Sequence, residues 1–139
     1  MFEDYPSNTS AGGYANGGTL GMTYTVPKPQ MFDLATYLYA QKIWSERTFG
    51  PGDRRMGVIK HIRKELNEVK KAEDGSTDLL MEWVDILILA FDGARRSGFS
   101  PEMIIQGLVL KDLINQKTKA WPDWRKMGKD EPIEHIRNK

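Results

Sequence analysis

Glu65 and Glu68 stand three residues apart, and so do Glu82 and Asp85. On a helix that spacing puts both members of a pair on one face. The second pair borders Ile86 to Phe91, the longest wholly apolar run of the chain, which Asp85 and Asp92 bound. An ionised carboxylate taken out of water loses several kcal/mol of hydration, and several at one seam repel one another. Such acids must be protonated, paired with basic side chains, or neutralised by a cation. Carboxylate oxygens without Cys or His partners favour Mg²⁺, Mn²⁺ or Ca²⁺ over zinc. Magnesium held by a few carboxylates keeps positions for water and for substrate phosphate. A single pair of this kind is common on a solvated helix face. Two pairs on successive helices, one inside an apolar helix, fit that description less well. Pattern alone leaves both readings open.

The elements that must position these acids are helical. A first helix is predicted from about Phe32 to Glu46, with Leu34, Tyr37, Leu38 and Ile43 at helical spacing. "TFGPGD" stops it, with Gly50 suited to a C-terminal cap and Pro51 unable to continue the turn. Asp53 can cap the next helix, predicted from about Arg54 to Lys71. Its apolar stripe is Val58, Ile59, Ile62, Leu66 and Val69. After the loop "AEDGSTD" a third helix is predicted from about Asp78 to Arg96. Asp78, Glu82, Asp85 and Asp92 share one narrow sector of it with Leu89 and Arg96, so the polar stripe of an apolar helix is mostly acid. If the second and third helices pack side by side, the two carboxylate pairs face each other. A fourth helix follows "SGFSPE", with Ser100 as cap and Pro101 in the first turn, and fades near Lys117. "WPDW" marks a turn. No stretch reads as a strand. The expected class is all-α, a four-helix bundle with short connections, over residues 31–139. Residues 1–30, rich in Gly, Asn, Ser and Thr, read as an irregular, flexible or extended N-terminal arm.

Composition narrows the function classes. A chain of 139 residues suggests one domain large enough for a core. The formal net charge of +1 gives no general attraction to nucleic acid or membrane, and neither is expected as a partner. With no Cys there is no disulfide framework and no thiolate chemistry, which fits a cytoplasmic setting. The N-terminus lacks the basic start and apolar core of a signal peptide, and no stretch is long and apolar enough to span a membrane.

The motif Glu65-x-x-Glu68 followed by Glu82-x-x-Asp85 resembles the signature of the all-α nucleoside triphosphate pyrophosphohydrolases, the MazG-like superfamily with the dimeric dUTPases. "RTFGPGDRRMGVIKHIRKELNEV", "EWVDILILAFDGARRSGFSPEMII" and "WPDW" together resemble the dATP/dGTP pyrophosphohydrolase domain family, which includes the phage MazZ enzymes. The likeness covers about residues 32–137. It implies that Glu65, Glu68, Glu82 and Asp85 are the catalytic acids and hold two or three Mg²⁺ ions, with Mn²⁺ or Co²⁺ able to substitute. It further implies cleavage between the α- and β-phosphates, a homodimer or homotetramer, and, in a phage, dGMP supplied for 2-aminoadenine DNA in the host cytoplasm. Many MazG-like proteins carry adjacent glutamates at the start of the motif. Here Lys64 precedes Glu65, and by helical angle it faces away from the seam.

The chemistry of the residues agrees with that implication. Phosphoryl transfer needs charge neutralisation and in-line geometry more than a covalent nucleophile. No Ser–His–Asp set competes, and "FGPG" lacks the Lys and spacing of a P-loop. Six further residues are substrate-binding candidates, each with a plainer reading beside it. Lys111 and Asn115 continue the face of Ile104 and Leu108, and can reach triphosphate oxygens or emerge into water. Arg55, at the start of the second helix, can meet phosphate or stay solvated. His61 can touch substrate or hydrogen-bond Glu65 four residues on. Trp44 and Phe49 can stack on a base or belong to the core. Arg95 and Arg96 suit the C-terminal end of the third helix dipole. Trp121 and Trp124 are expected to pack the C-terminal tail. The expected function is metal-dependent hydrolysis of purine deoxynucleoside triphosphates, dGTP and possibly dATP. The alternatives are a dUTP or dCTP pyrophosphatase on the same scaffold and a non-catalytic helical interaction module.

Overall fold

A computed structural model describes residues 32–137. The arm expected at residues 1–30 lies outside them. The all-α class is what the structure shows: four α-helices and one short 3₁₀ turn, with no strand among the described residues. The helices are α1 (Leu34–Phe49), α2 (Arg55–Lys71), α3 (Thr77–Arg96) and α4 (Pro101–Lys117). None of them is long and apolar enough to cross a membrane.

Local chemistry sets the ends. The Asp33 carboxylate accepts from the backbone N–H groups of Ala35 and Thr36, so α1 starts two residues later than its apolar spacing suggests. It then runs three residues beyond Glu46, to Phe49, because Gly50 (φ +83°) is what ends it. Arg54, not Asp53, holds the N-cap position of α2. Asp53 still does part of the work, since its Oδ1 accepts from Arg55 N at 2.8 Å. Ser76 caps α3 through Leu79 N at 3.1 Å, and Ser100 Oγ accepts from Met103 N at 3.2 Å in the first turn of α4.

The chain divides into two compact units between Ile104 and Ile105. In the first, α3 lies along α2 and also touches α1. The α2–α3 approach is close at Gly93, where a Cβ would stand 3.3 Å from Val58 Cγ1. Leu38 of α1 is the one fully buried large apolar side chain among the described residues. The stripe on α2 is half-buried except for Leu66, which is exposed. On α3, Leu80, Trp83 and Leu87 recur at steps of three and four and are exposed.

The buried side chains of α3 are charged: Asp92, Arg95 and Arg96. Asp92 Oδ1 accepts from Ser45 Oγ at 2.7 Å and from Arg95, and its Oδ2 accepts from Arg96 Nε at 2.7 Å. Arg96 also donates to the carbonyls of Gly50 (2.8 Å) and Gly52 (3.0 Å) and to Ser45 Oγ (2.9 Å). This network ties the end of α3 to α1 and to the α1–α2 loop. Arg95 and Arg96 are therefore structural, and the helix dipole is a minor part of their role. In the second unit, Ile136 N donates to Ala120 O at 2.9 Å, which brings the C-terminal segment back beside the end of α4. Trp121 stands edge-on to His135 with centroids 6.1 Å apart, as expected of a ring packing the tail. Trp124 does not do so, being the most exposed of the large hydrophobic residues described.

Candidate active site

Periodicity on two neighbouring helices brings three acids together. Glu65 is the one buried side chain of α2. Glu82 is half-buried and Asp85 exposed on the facing part of α3. One carboxylate oxygen from each lies within 4.8 Å of the other two. The neighbours of Glu65 fix its carboxylate. His61 Nε2 lies 2.9 Å from Glu65 Oε1, and Lys64 Nζ donates to the same oxygen at 3.0 Å. The hydrogen bond from Lys64 holds the Glu65 carboxyl below its ordinary pKa, against the opposite pull of burial. Glu82 behaves differently. Desolvation, then the hydrogen bond and charge of Glu65, then the charges of Asp85 and Glu68, push its carboxyl up. Negative charge is therefore crowded at the seam, and among the described residues no Lys or Arg forms an ion pair with Glu82 or Asp85. An all-carboxylate donor set with an excess of negative charge fits a hard divalent cation.

Two details differ from the sequence reading. Lys64 does not leave the seam: its Nζ donates to the Glu65 carboxylate. Glu68 stands outside the trio, and its Oε1 lies 3.2 Å from Lys71 Nζ on the next turn. It remains close enough for its charge to raise Glu82.

The other candidates fall in several places. His61 makes the contact with Glu65 that its spacing allowed. Arg55 is paired with Asp53 at 3.5 Å and lies ten residues, roughly 15 Å, before Glu65 along α2. Trp44 and Phe49 form an edge-on ring pair with centroids 5.3 Å apart, and both are exposed. Lys111 and Asn115 belong to the second unit. There Lys111 is exposed, and the Asn115 carbonyl accepts from Trp121 Nε1 at 2.8 Å. Sequence spacing missed a cavity of about 260 Å³ between α2 and α3, lined by Phe49, Arg54, Gly57, Val58, His61, Leu89, Asp92 and Arg96. Gly57, a glycine inside an amphipathic helix, was the available signal.

Comparison with known proteins bears on this arrangement. Residues 38–139 match the family model described as dATP/dGTP pyrophosphohydrolase. The chain belongs to this family. Among curated proteins, the chain is similar to the Eaa protein of Salmonella phage P22, with 40% identity over 95 residues. That match takes in 68% of this chain but only 27% of the phage protein. No solved structure matches. All three clustered acids, and Glu68 with them, lie inside the stretch that the dATP/dGTP pyrophosphohydrolase family model matches.

Proposed function

We propose that this chain hydrolyses purine deoxynucleoside triphosphates, dGTP foremost, to the monophosphate and pyrophosphate in a Mg²⁺-dependent reaction. The observation that carries the reading is the meeting of Glu65, Glu82 and Asp85 across the α2–α3 seam, with oxygens within 4.8 Å. These three would hold the metal, two or three ions with Glu68 as a further ligand. Bound Mg²⁺ supplies charge neutralisation for the triphosphate and polarises its phosphoryl oxygens. The protein's own part is positioning. His61 and Lys64 fix the orientation of Glu65 through the same oxygen, so this carboxylate does not rotate freely. A water oxygen bonds to phosphorus as the α–β bridge breaks, and pyrophosphate leaves. The exposed stripe of Leu80, Trp83 and Leu87 supports a homo-oligomer, since a second copy would remove it from water. The phage relative supports a phage setting, in which the dGMP product would serve synthesis of 2-aminoadenine DNA.

Chromatography of a dGTP digest with Mg²⁺ tests the reaction. The expected products are dGMP and pyrophosphate. Recovery of dGDP with free phosphate would place cleavage at the γ-phosphate and refute the reading. A panel of deoxynucleotides in the same assay separates purine from dUTP or dCTP preference.

A further inference from the structure

Gly57 is the third residue of α2, and nothing in the fold calls for glycine there. Its φ is not positive, unlike those of Gly50, Gly52, Gly75 and Gly98. A Cβ at Gly57 would meet no atom of the described residues within 4 Å, whereas one at Gly93 would press on Val58. Glycine lowers helix propensity more than any residue but proline. A helix that carries it with neither a backbone nor a packing cause is giving up local stability for space. Gly57 is exposed, and it is one of the residues that line the cavity of about 260 Å³.

We propose that this cavity seats the purine base and deoxyribose of the nucleotide, and that Gly57 is the specificity-determining position that keeps it open. The inference rests on the reading of the acidic seam as the triphosphate site. Continuity supports it: His61 lines the cavity and also contacts Glu65, so the cavity begins one helical turn, about 6 Å, from the acids. Size supports it as well. At about 260 Å³ the cavity falls just under the usual range for whole small-molecule ligands, which suits a nucleoside with its phosphates left outside. The lining has the right chemistry. Phe49, Val58 and Leu89 give apolar walls, and Phe49 brings an aromatic ring, the kind of group on which bases stack. The Arg54 guanidinium spends one donor on Phe49 O at 2.6 Å and keeps others for the acceptor edge of a purine. The acid that lines the cavity, Asp92, has both oxygens engaged by Ser45, Arg95 and Arg96, so no unpaired carboxylate opposes an anionic ligand.

The test compares wild type, Gly57→Ala and Gly57→Leu in full-length protein. Three quantities are read: steady-state kinetics on dGTP, competitive inhibition by deoxyguanosine, and the rise in Tm with Mg²⁺. Gly57→Leu is expected to raise KM for dGTP by about tenfold or more and to abolish deoxyguanosine inhibition, with Gly57→Ala in between. The Mg²⁺-induced rise in Tm should persist, because the seam is untouched. A KM within twofold of wild type, or a fall in kcat with KM unchanged, overturns the proposal. A Gly57→Leu chain that fails to fold also overturns it, because the position would then be packed rather than open. Failure of the wild type to hydrolyse any nucleotide refutes the reading of the seam itself. An active wild type with an unaffected Gly57→Leu refutes the cavity inference alone.

Discussion

Asp92→Asn is the perturbation whose outcome the structure fixes most tightly. Asp92, Arg95 and Arg96 are 8%, 6% and 9% exposed, so the charges of this network are held away from water. Neutralising one member of a buried ion pair costs about 3–5 kcal/mol, because the partner is left as an uncompensated charge. Here one carboxylate serves two cations, yet they do not suffer alike. Arg96 keeps the carbonyls of Gly50 and Gly52 and both oxygens of Ser45 as acceptors. Arg95 keeps little: Gln41 Oε1 at 3.4 Å and Glu46 at 3.7 Å, with a buried Nη1 that has no hydrogen bond even in the wild type. The cost therefore falls mainly on one stranded cation, and we expect about 3 kcal/mol, the lower end of the range. Against an ordinary total of about 5–15 kcal/mol, that is a fifth to more than half of the stability. Urea unfolding in EDTA should show the midpoint falling with the slope unchanged. Adding Arg95→Met to Asp92→Asn removes the stranded cation and should recover part of the loss. A single-variant loss below about 1 kcal/mol would refute the assignment of the network as a buried, structural one.

Glu82 and Asp85, on the same helix, should respond in the opposite sense. Glu82→Gln and Asp85→Asn relieve crowding at the seam, so melts in EDTA should show metal-free stability unchanged or raised, while Mg²⁺-dependent activity falls by about 10²–10³. A clear drop in metal-free Tm with activity retained would remove that residue from the site. Tyr39→Phe should flatten part of the acid limb of stability. The Tyr39 phenol, 2.7 Å from Glu102 Oε1, holds the Glu102 carboxyl below its ordinary value, so the unfolded chain binds more protons just below that value. The contact's contribution is present above this window and lost as pH falls through it. Melts from about pH 5 to about pH 3 should therefore lose stability less steeply in the variant, and identical slopes would contradict the sign.

The sequence made the helices and their faces legible because both follow from periodicity. Glu65, Glu82 and Asp85 could be brought to one seam from spacing alone, since each is fixed by short side-chain reach and helix angle. Lys64 was misplaced by the same method: angle locates a Cα, and a four-carbon stem can return its Nζ to a neighbour. Glu68 makes a local pair with Lys71 and lies outside the cluster, which helix angle alone does not distinguish. The burial of Arg95 and Arg96 was not legible. Arg96 depends on Ser45 and on the Gly50 and Gly52 carbonyls, and Arg95 on Gln41 and Glu46, all more than forty positions earlier in the chain, which no local pattern connects to them. The end of α1 at Phe49 followed the glycine rather than the polar run before it.

The grip of Arg96 on two carbonyls of the α1–α2 loop determines where the chain can change length. Gly50 and Gly52 accept from one nitrogen, at 2.8 and 3.0 Å, and both have left-handed φ values of +83° and +90°. A single inserted residue shifts the chain by about 3.8 Å, enough to pull at least one carbonyl out of reach. Among the described residues, no such anchor holds the loop between α2 and α3. Residues 73–75 are exposed there, and Gly75 turns the chain without a side chain from elsewhere holding it. Natural length variation, an epitope tag or a split point for fragment complementation belongs at residues 73–75 and not at residues 50–52.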